Sequence, residues 1–225
     1  MATAAPTAMS TDTDPAVMLT LAQWFSPAFP IGAFSYSHGL EALVDRGEIG
    51  TVAQFRDWMA HVLEHGAGRN DLIFLSAAYR ADRSELAGID ALARAMAPSS
   101  ERLLETVDQG GSFIRTINAV WSQDLPPLSY PLAVGAAARA CDLPLEPTAR
   151  MYIHGFLSAL TSAAIRLVPL GQTEGQQAIL ALTPLCHQLC DTALDAPLDS
   201  LGSSTFLADI ASMQHETQYS RMFRS

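Results

Sequence analysis

Two short clusters in this chain carry side chains that bind transition metals. His61 and His65 lie four residues apart with Glu64 beside the second, and helical geometry would bring both imidazoles onto one face. Cys186 and Cys190 are also four residues apart, in an apolar stretch. Each cluster supplies two ligands, whereas a zinc-type site uses three or four. We therefore interpret the histidines as surface side chains and the cysteines as core residues, and we predict no metal site and no cofactor.

A nucleophilic centre is the other chemistry that the residue types suggest. Ser35 and Ser37 lie next to His38, but proximity in sequence does not supply the geometry of a catalytic triad. The chain has no GxSxG nucleophile elbow and no GxxxxGK[ST] phosphate loop. It also contains no lysine, so Schiff-base chemistry is excluded. The sequence therefore predicts a protein that is not an enzyme.

The segment Trp24–Glu41, here called the aromatic segment, is unusually apolar for a loop. Its sequence, WFSPAFPIGAFSYSHGLE, mixes aromatic residues with two prolines and two glycines, which prevent one continuous helix. We expect a new helix to begin near Tyr36, capped by a serine or by the backbone. A buried helix–loop–helix corner and a docking surface for another protein both fit this composition.

The C-terminal tail, His215–Ser225, combines aromatic residues with arginine. Tyr219, Arg221 and Phe223 are residue types that are enriched at the centre of protein interfaces. The tail could dock on its own domain, bind a partner, or become ordered when a partner binds.

The rest of the chain follows a helical period, and we find no sustained period-two alternation. We predict an all-α fold in a single domain of about ten helices over residues 15–214. Residues 1–14 are predicted to be a flexible N-terminal tail, and residues 215–225 a docking tail. The predicted helices are Val52–Gly66, Asn70–Arg80, Ser84–Ala97, a segment from Ser99 or Ser100 to about Trp121, Tyr130–Cys141, Thr148–Val168, Glu174–Asp195 and a last helix capped by Ser203 or Ser204.

Several local details of these helices can also be predicted. Thr51 with Gln54, and Thr173 with Gln176, match the capping-box pattern at the start of a helix. Gly110 and Gly111 could bend their helix or allow another element to approach closely. Thr148–Val168 is apolar on most faces, so it should lie at the centre of the fold or against a partner. We expect Glu174–Asp195 to be kinked at Pro184.

Charge and apolar content exclude two classes of partner. The 225 residues carry a formal net charge of -10 without a basic stripe, which disfavours nucleic-acid binding. No apolar run reaches the roughly 18 residues that span a bilayer, and the first residues lack the pattern of a signal peptide. We therefore expect no membrane partner and a cytoplasmic location.

Three segments together resemble the urease accessory protein F family, the UreF chaperones. They are the aromatic segment, the stretch RLVPLGQTEGQQ at Arg166–Gln177, and the terminus HETQYSRMFRS, in the order and spacing of that family. The resemblance implies an all-α helical bundle that forms a homodimer. It also implies binding to the urease accessory protein of the D or H type, recruitment of the G-type GTPase, and delivery of nickel to the urease apoprotein.

The resemblance also implies which residues bind partners. The aromatic segment should present Phe34, Ser35, Tyr36, Ser37, His38, Gly39 and Glu41 at the partner surface. The tail, with Tyr219, Arg221 and Phe223, should dock beside it when the D-type protein binds, and we expect Arg221 to fix it through a charge-assisted hydrogen bond. A dimer or GTPase-contacting face should include Arg150, His154, Pro169, Gly171, Gln172 and Gln176.

Two further functions stay open at this point. In the first, the chain is itself a nickel-binding metallochaperone that uses histidines such as His61, His65 and His215. In the second, an arginine inserted into the GTPase regulates its catalysis.

Overall fold

The computed structural model describes residues 14–225 of the chain, in which ten α-helices and two short 3₁₀ turns form the fold. No β-strand occurs among these residues, so the all-α prediction is confirmed. Most of the predicted tail at residues 1–14 lies outside the described residues. The exception is Asp14, whose carboxylate caps the first helix by accepting a hydrogen bond from the Ala16 amide at 2.9 Å. The helices are α1 (Pro15–Trp24), α2 (Leu40–Asp45), α3 (Val52–His65), α4 (Ala67–Arg80), α5 (Leu86–Ala95), α6 (Ser100–Val120), α7 (Tyr130–Ala140), α8 (Leu145–Leu167), α9 (Gln172–Ala193) and α10 (Phe206–His215).

Helix α7 is the centre of the fold, so of the two positions expected for α8, the centre and a partner-facing surface, the first is taken by α7. Every residue of α7 from Pro131 to Ala138 is buried, and α7 packs mainly against α4 and α6. Small side chains allow this close packing. A Cβ on Gly135 would lie 2.1 Å from the Leu75 carbonyl oxygen of α4, so only glycine fits there. Helix α8 instead exposes one face, on which His154 and Arg166 lie.

The helix termini follow the sequence in part. Thr51 accepts a hydrogen bond from the Gln54 amide at 3.3 Å, which confirms the predicted start of α3. Ser99 caps α6 by accepting from the Arg102 amide at 3.1 Å. Helix α6 then runs unbroken through Gly110, where a Cβ would lie 2.1 Å from the Leu128 carbonyl oxygen. Of the two roles considered for this glycine pair, Gly110 serves the close approach.

Predictions at three places in the chain are wrong. The first is α9, which begins at Gln172 and ends at Ala193, two residues earlier at each end than expected. The Glu174 carboxylate accepts from the Gly171 amide at 2.8 Å, and no Thr173–Gln176 box forms. Pro184 lies inside the helix, and the kink expected there stays a prediction. The second place is α10, which has Thr205 at its N-cap and no side-chain capping bond from a serine.

The third error lies in the aromatic segment. The first α-helix after Tyr36 begins only at Leu40. The reason is that His38 and Gly39 both adopt left-handed backbone conformations, with φ of 58° and 75°. A Cβ on Gly39 would lie 2.8 Å from the Ser212 backbone nitrogen, so this turn also allows α10 to approach closely. Helices α2 and α10 accordingly pack against each other.

Candidate partner-binding site

The tail folds back onto the aromatic segment. The Arg224 amide donates to the Ser35 carbonyl oxygen at 2.7 Å, and the Ser37 amide donates to the Ser225 carbonyl oxygen at 2.7 Å. The Ser37 hydroxyl donates to the same Ser225 oxygen. Two segments that the sequence separates by almost the whole chain therefore form one site.

Glu41 is the main acceptor for the tail. Its side chain is buried at the start of α2 and accepts from the Met222 amide at 2.6 Å and from the Phe223 amide at 2.9 Å. Without this carboxylate, two backbone donors of the tail would be left without a partner at a buried position, which is costly.

Glu101, near the start of α6, holds the tail from the other side. Its Oε1 accepts from the Arg221 guanidinium at 2.6 Å. The fully buried His215 lies between the two acids, with Nδ1 at 2.7 Å from Glu101 and Nε2 at 3.1 Å from Glu41. His215 is the last residue of α10, so it belongs to the folded helix as well as to the predicted tail.

Phe223 is the apolar anchor of the tail. Its ring is buried, and the Arg166 guanidinium carbon lies 4.1 Å from the ring centroid, within the range of a cation–π interaction. The same guanidinium donates to the Phe34 carbonyl oxygen at 2.5 Å. Arg166 of α8 therefore joins the tail to the aromatic segment.

The predicted partner residues divide into two groups by exposure. Phe34 is 71% exposed, Tyr219 is fully exposed, and Arg221 is also on the surface. The other group is covered by the tail and by α10 or lies in the core, and consists of Tyr36, Ser37, His38, Gly39, Glu41 and Phe223. Ser35 is half-buried, and its carbonyl oxygen accepts from the Arg224 amide. A partner can therefore contact the first group directly, whereas Ser35, Ser37 and Glu41 hold the tail in place.

Exposed apolar side chains continue beside the tail. On α10 they are Phe206, Leu207, Ile210 and Met213, and in the tail Met222 is also exposed. Contiguous exposed apolar surface of this kind is typical of a protein interface. The exposed apolar face of α10 was not predicted from the sequence.

His38 lies at the wall of a buried cavity. Its ring packs edge-on against Phe156, with centroids 5.6 Å apart, and its Nδ1 has no hydrogen-bond partner among the described residues. Burial lowers the pKa of His38 well below the ordinary value, so the ring is neutral at physiological pH. The cavity, of about 130 Å³, is also lined by Asn70, Asp71, Arg102 and Asp209.

A buried polar network, which the sequence analysis missed, adjoins this cavity. Asp71 accepts from the Tyr152 hydroxyl at 2.7 Å, and burial raises the pKa of Asp71 to about 6. Arg102 and Glu105, one turn apart on α6, form a buried ion pair beside it. The spacing of the sequence contained a signal, because Glu105 and Gln109 share one face of α6 with Phe113 and Ile117. The network also borders a larger cavity of about 570 Å³ between the aromatic segment and α8.

The predicted dimer or GTPase face lies at two ends of α8. Arg150 is in the second turn, where it pairs with Glu146 at 2.7 Å and with Asp191 of α9 at 2.8 Å, and His154 is exposed one turn later. The remaining residues are exposed at or just after the α8–α9 connection: Pro169, Gly171, Gln172 and Gln176. At 1.5 Å per residue, Arg150 is about 25 Å from the end of α8, so these residues form two separate patches.

The candidate metal ligands come together at most in pairs among the described residues. The rings of His61 and His65 are exposed with centroids 5.6 Å apart, and across residues 14–225 no group of three or more potential ligands comes together. His215 does not add a third ligand to this pair, because both of its ring nitrogens already face carboxylates. Burial raises the pKa of Cys186 to about 11 and that of Cys190 to about 12, so both thiols stay protonated.

No helix formed by residues 14–225 is both long enough and apolar enough to cross a bilayer.

Comparison with known proteins agrees with the resemblance seen in the sequence. The sequence model of the UreF family matches residues 49–183, which is more than half of the chain. The urease accessory protein UreF of Ruegeria pomeroyi is 53% identical over 218 residues, covering 96% of this chain and 100% of that protein. The UreF protein of Roseobacter denitrificans is 50% identical over 217 residues, covering 96% of each chain. On this evidence the chain belongs to the UreF family of urease accessory proteins.

Proposed function

We propose that this chain acts in the cytoplasm as a dimeric scaffold for urease maturation. With the accessory protein of the D or H type it recruits and regulates the G-type GTPase. The assembly then presents the GTPase to the urease apoprotein for nickel insertion. Membership of a family of urease accessory proteins supports the role in maturation, and the finer steps are the proposal.

One observation carries the proposed protein contact. The tail is fixed from inside by Glu41, Glu101 and Phe223, while Tyr219 and Met222 point to the surface beside the exposed apolar side chains of α10. Rigid aromatic side chains lose little entropy on binding and dominate the energy of many interfaces. The docked tail is therefore suited to present a preformed surface to the D-type protein.

Surface substitutions test this contact. Tyr219→Ala and Phe34→Ala should each reduce co-purification of the D-type protein at least tenfold, because each removes an aromatic side chain from the proposed contact surface. Both side chains are exposed, so their loss should leave the fold intact. The matched control is Leu180→Ala on α9, where the side chain is 74% exposed but distant from the tail. Thermal unfolding should be unchanged in all three variants. Capture at the wild-type level by both Tyr219→Ala and Phe34→Ala would rule out this surface.

Removal of the tail tests its part in the scaffold. A truncation after Gln218 keeps the buried His215 in place, whereas a cut before His215 would leave Glu41 and Glu101 facing each other in the core. We expect the shorter chain to fold and to lose the ternary complex with the D-type protein and the GTPase. A ternary complex that forms equally well without residues 219–225 would contradict the proposal.

The dimer contact is proposed at the α8–α9 connection. Gln172 and Gln176 are exposed there within the first two turns of α9 and would face a second copy. Gln176→Arg should shift the chain from dimer to monomer in analytical ultracentrifugation, whereas Gln188→Arg, exposed near the other end of α9, should not. Equal behaviour of the two variants would place the dimer contact elsewhere.

Regulation of the GTPase needs its own measurement. GTP turnover should be compared with and without this chain at a fixed concentration of the GTPase and the D-type protein. A change of tenfold or more would show regulation, and unchanged turnover within an intact complex would reduce the role to that of a scaffold.

A further inference from the structure

His215 lies where α10 meets α2 and α6. It ends α10, its ring is fully buried, and its two nitrogens face acids from two other helices, Glu41 of α2 and Glu101 of α6. Neither acid is near His215 in sequence, so only the folded chain creates this arrangement.

The geometry selects one protonation state. Carboxylates accept hydrogen bonds, so each ring nitrogen of His215 must donate to its neighbour, at 2.7 Å and 3.1 Å. Only the imidazolium carries a proton on both nitrogens. In the neutral ring, one nitrogen lone pair would face a carboxylate oxygen in a space that water does not reach.

The same two acids hold the tail. Glu41 Oε2 accepts from both His215 and the Phe223 amide, while Glu101 accepts from His215 on one oxygen and from Arg221 on the other. With His215 protonated, two positive groups balance two negative groups. Loss of the proton leaves one buried negative charge without compensation, which is costly.

Other charged groups nearby have separate partners. Glu216, next to His215 in sequence, accepts from the Ser100 amide at 2.8 Å. Arg46, after α2, bonds to Glu48 at 2.7 Å and to Gln214. The carboxylates of Glu41 and Glu101 are therefore the charged groups that act directly on the His215 ring.

We propose that His215 is a proton-dependent switch for the tail. The imidazolium orients Glu41 and Glu101 toward the tail, so the docked tail is stabilised while His215 is protonated. When a rise in pH removes this proton, the two acids turn away and the tail is released. The proposal concerns the isolated chain and does not depend on the partners proposed above.

Tryptic cleavage of the full chain measures this release. The chain has no lysine, and Arg221 lies inside the docked tail, so cleavage after Arg221 removes residues 222–225 only when the tail is free. The rate is followed by intact mass between about pH 6.5 and about pH 8.5, around the upper part of the histidine range. Division by the rate for a free peptide of residues 217–225 removes the pH dependence of trypsin itself.

We expect the normalised rate to rise with pH, by at most about tenfold per pH unit because one proton is coupled to release. His215→Gln should give a fast rate that does not vary with pH, since a neutral amide supplies neither a positive charge to balance the two acids nor a proton that titrates. His61→Gln, a surface control, should keep the wild-type profile. A flat wild-type profile, or a wild-type profile in His215→Gln, would overturn the proposal.

A second measurement on the unmodified chain keeps the test decisive if His215→Gln does not fold. Nitrogen-15 NMR of the histidine rings distinguishes an imidazolium from either neutral tautomer. We expect one buried imidazolium in the docked state, which loses its proton as the tail is released. A neutral His215 ring in the docked state would refute the switch. The buried His38 does not confuse the reading, because its lowered pKa keeps it neutral throughout.

Discussion

Two adjacent glycines in α6 should respond to alanine with opposite signs. A Cβ on Gly110 would lie 2.1 Å from the Leu128 carbonyl oxygen and 2.7 Å from the backbone of Ser129 and Tyr130. A Cβ on Gly111 would meet only the flexible Arg115 side chain, at 3.4 Å. Position 110 is therefore blocked by backbone, and position 111 has space.

The backbone opposite Gly110 cannot move away easily. Ser129 donates to the Asp90 carboxylate through its amide at 2.7 Å and through its hydroxyl at 2.6 Å, and the Tyr130 amide donates to Thr106 at 3.2 Å. A shift of this segment would break buried hydrogen bonds, and Ser129 itself is fully buried.

The expected magnitudes follow from these distances. Alanine gains about 1 kcal/mol over glycine inside a helix, which Gly111→Ala should realise almost fully. In Gly110→Ala the overpacking should outweigh that gain, with a net loss of about 2 kcal/mol or more. For a chain of this size each kcal/mol moves the Tm by about 2–4 °C, so the two variants should differ by about 6 °C or more.

Urea unfolding followed by circular dichroism, with thermal scans in parallel, measures both variants. The neighbouring position is the control, because both substitutions have the same intrinsic effect on the helix. If Gly110→Ala proved as stable as Gly111→Ala, the close approach of the α6–α7 connection to α6 would be refuted, and with it the packing around α7.

Three other predictions concern buried groups. Burial raises the pKa of Asp71 to about 6, whereas an unfolded carboxyl group titrates near about 4. The folded state therefore holds this proton more tightly, and the cost to stability builds up as pH rises between these two values and is complete above them. Asp71→Asn should therefore be more stable than wild type by about 2 kcal/mol at neutral pH, with the difference vanishing near pH 4 in urea titrations; a difference independent of pH would contradict this. Ser99→Ala should lose about 1 kcal/mol through its helix cap, again by urea unfolding, and no loss would refute the cap. Cys186 and Cys190, with pKa values raised to about 11 and 12, should resist iodoacetamide at about pH 8 until the chain is denatured. Labels on either cysteine of the folded chain, detected by mass spectrometry, would contradict this.

The sequence was sufficient for the fold class and for most helices. Helical periodicity located α3 and α6 closely, because apolar stripes and capping residues such as Thr51 and Ser99 are local signals. Residue types could not identify the central helix. Helix α7 was predicted as a short apolar helix, but its alanine-rich sequence did not show that its small side chains allow α4 and α6 to enclose it.

The site could be predicted only in outline. The aromatic segment and the tail were both singled out, and the resemblance implied that the tail docks beside the segment when the D-type protein binds. The structure forms this contact within the chain itself. The acceptors that hold the tail lie far from it in the sequence and were not predicted. Glu41 and His215 illustrate the difficulty, since each looks like an ordinary surface residue near a helix end. Their burial comes from the left-handed turn at His38 and Gly39, which brings α10 against α2.

The energetics of the tail explain why one proton can matter. Ordering its backbone costs conformational entropy, and Phe223 is the one large apolar side chain of the tail that is buried. Docking therefore depends on the hydrogen bonds that Glu41 and Glu101 accept from the tail, and the same two acids contact His215. A change of one pH unit is worth about 1.4 kcal/mol for one coupled proton, which is comparable with the net contribution of one such hydrogen bond.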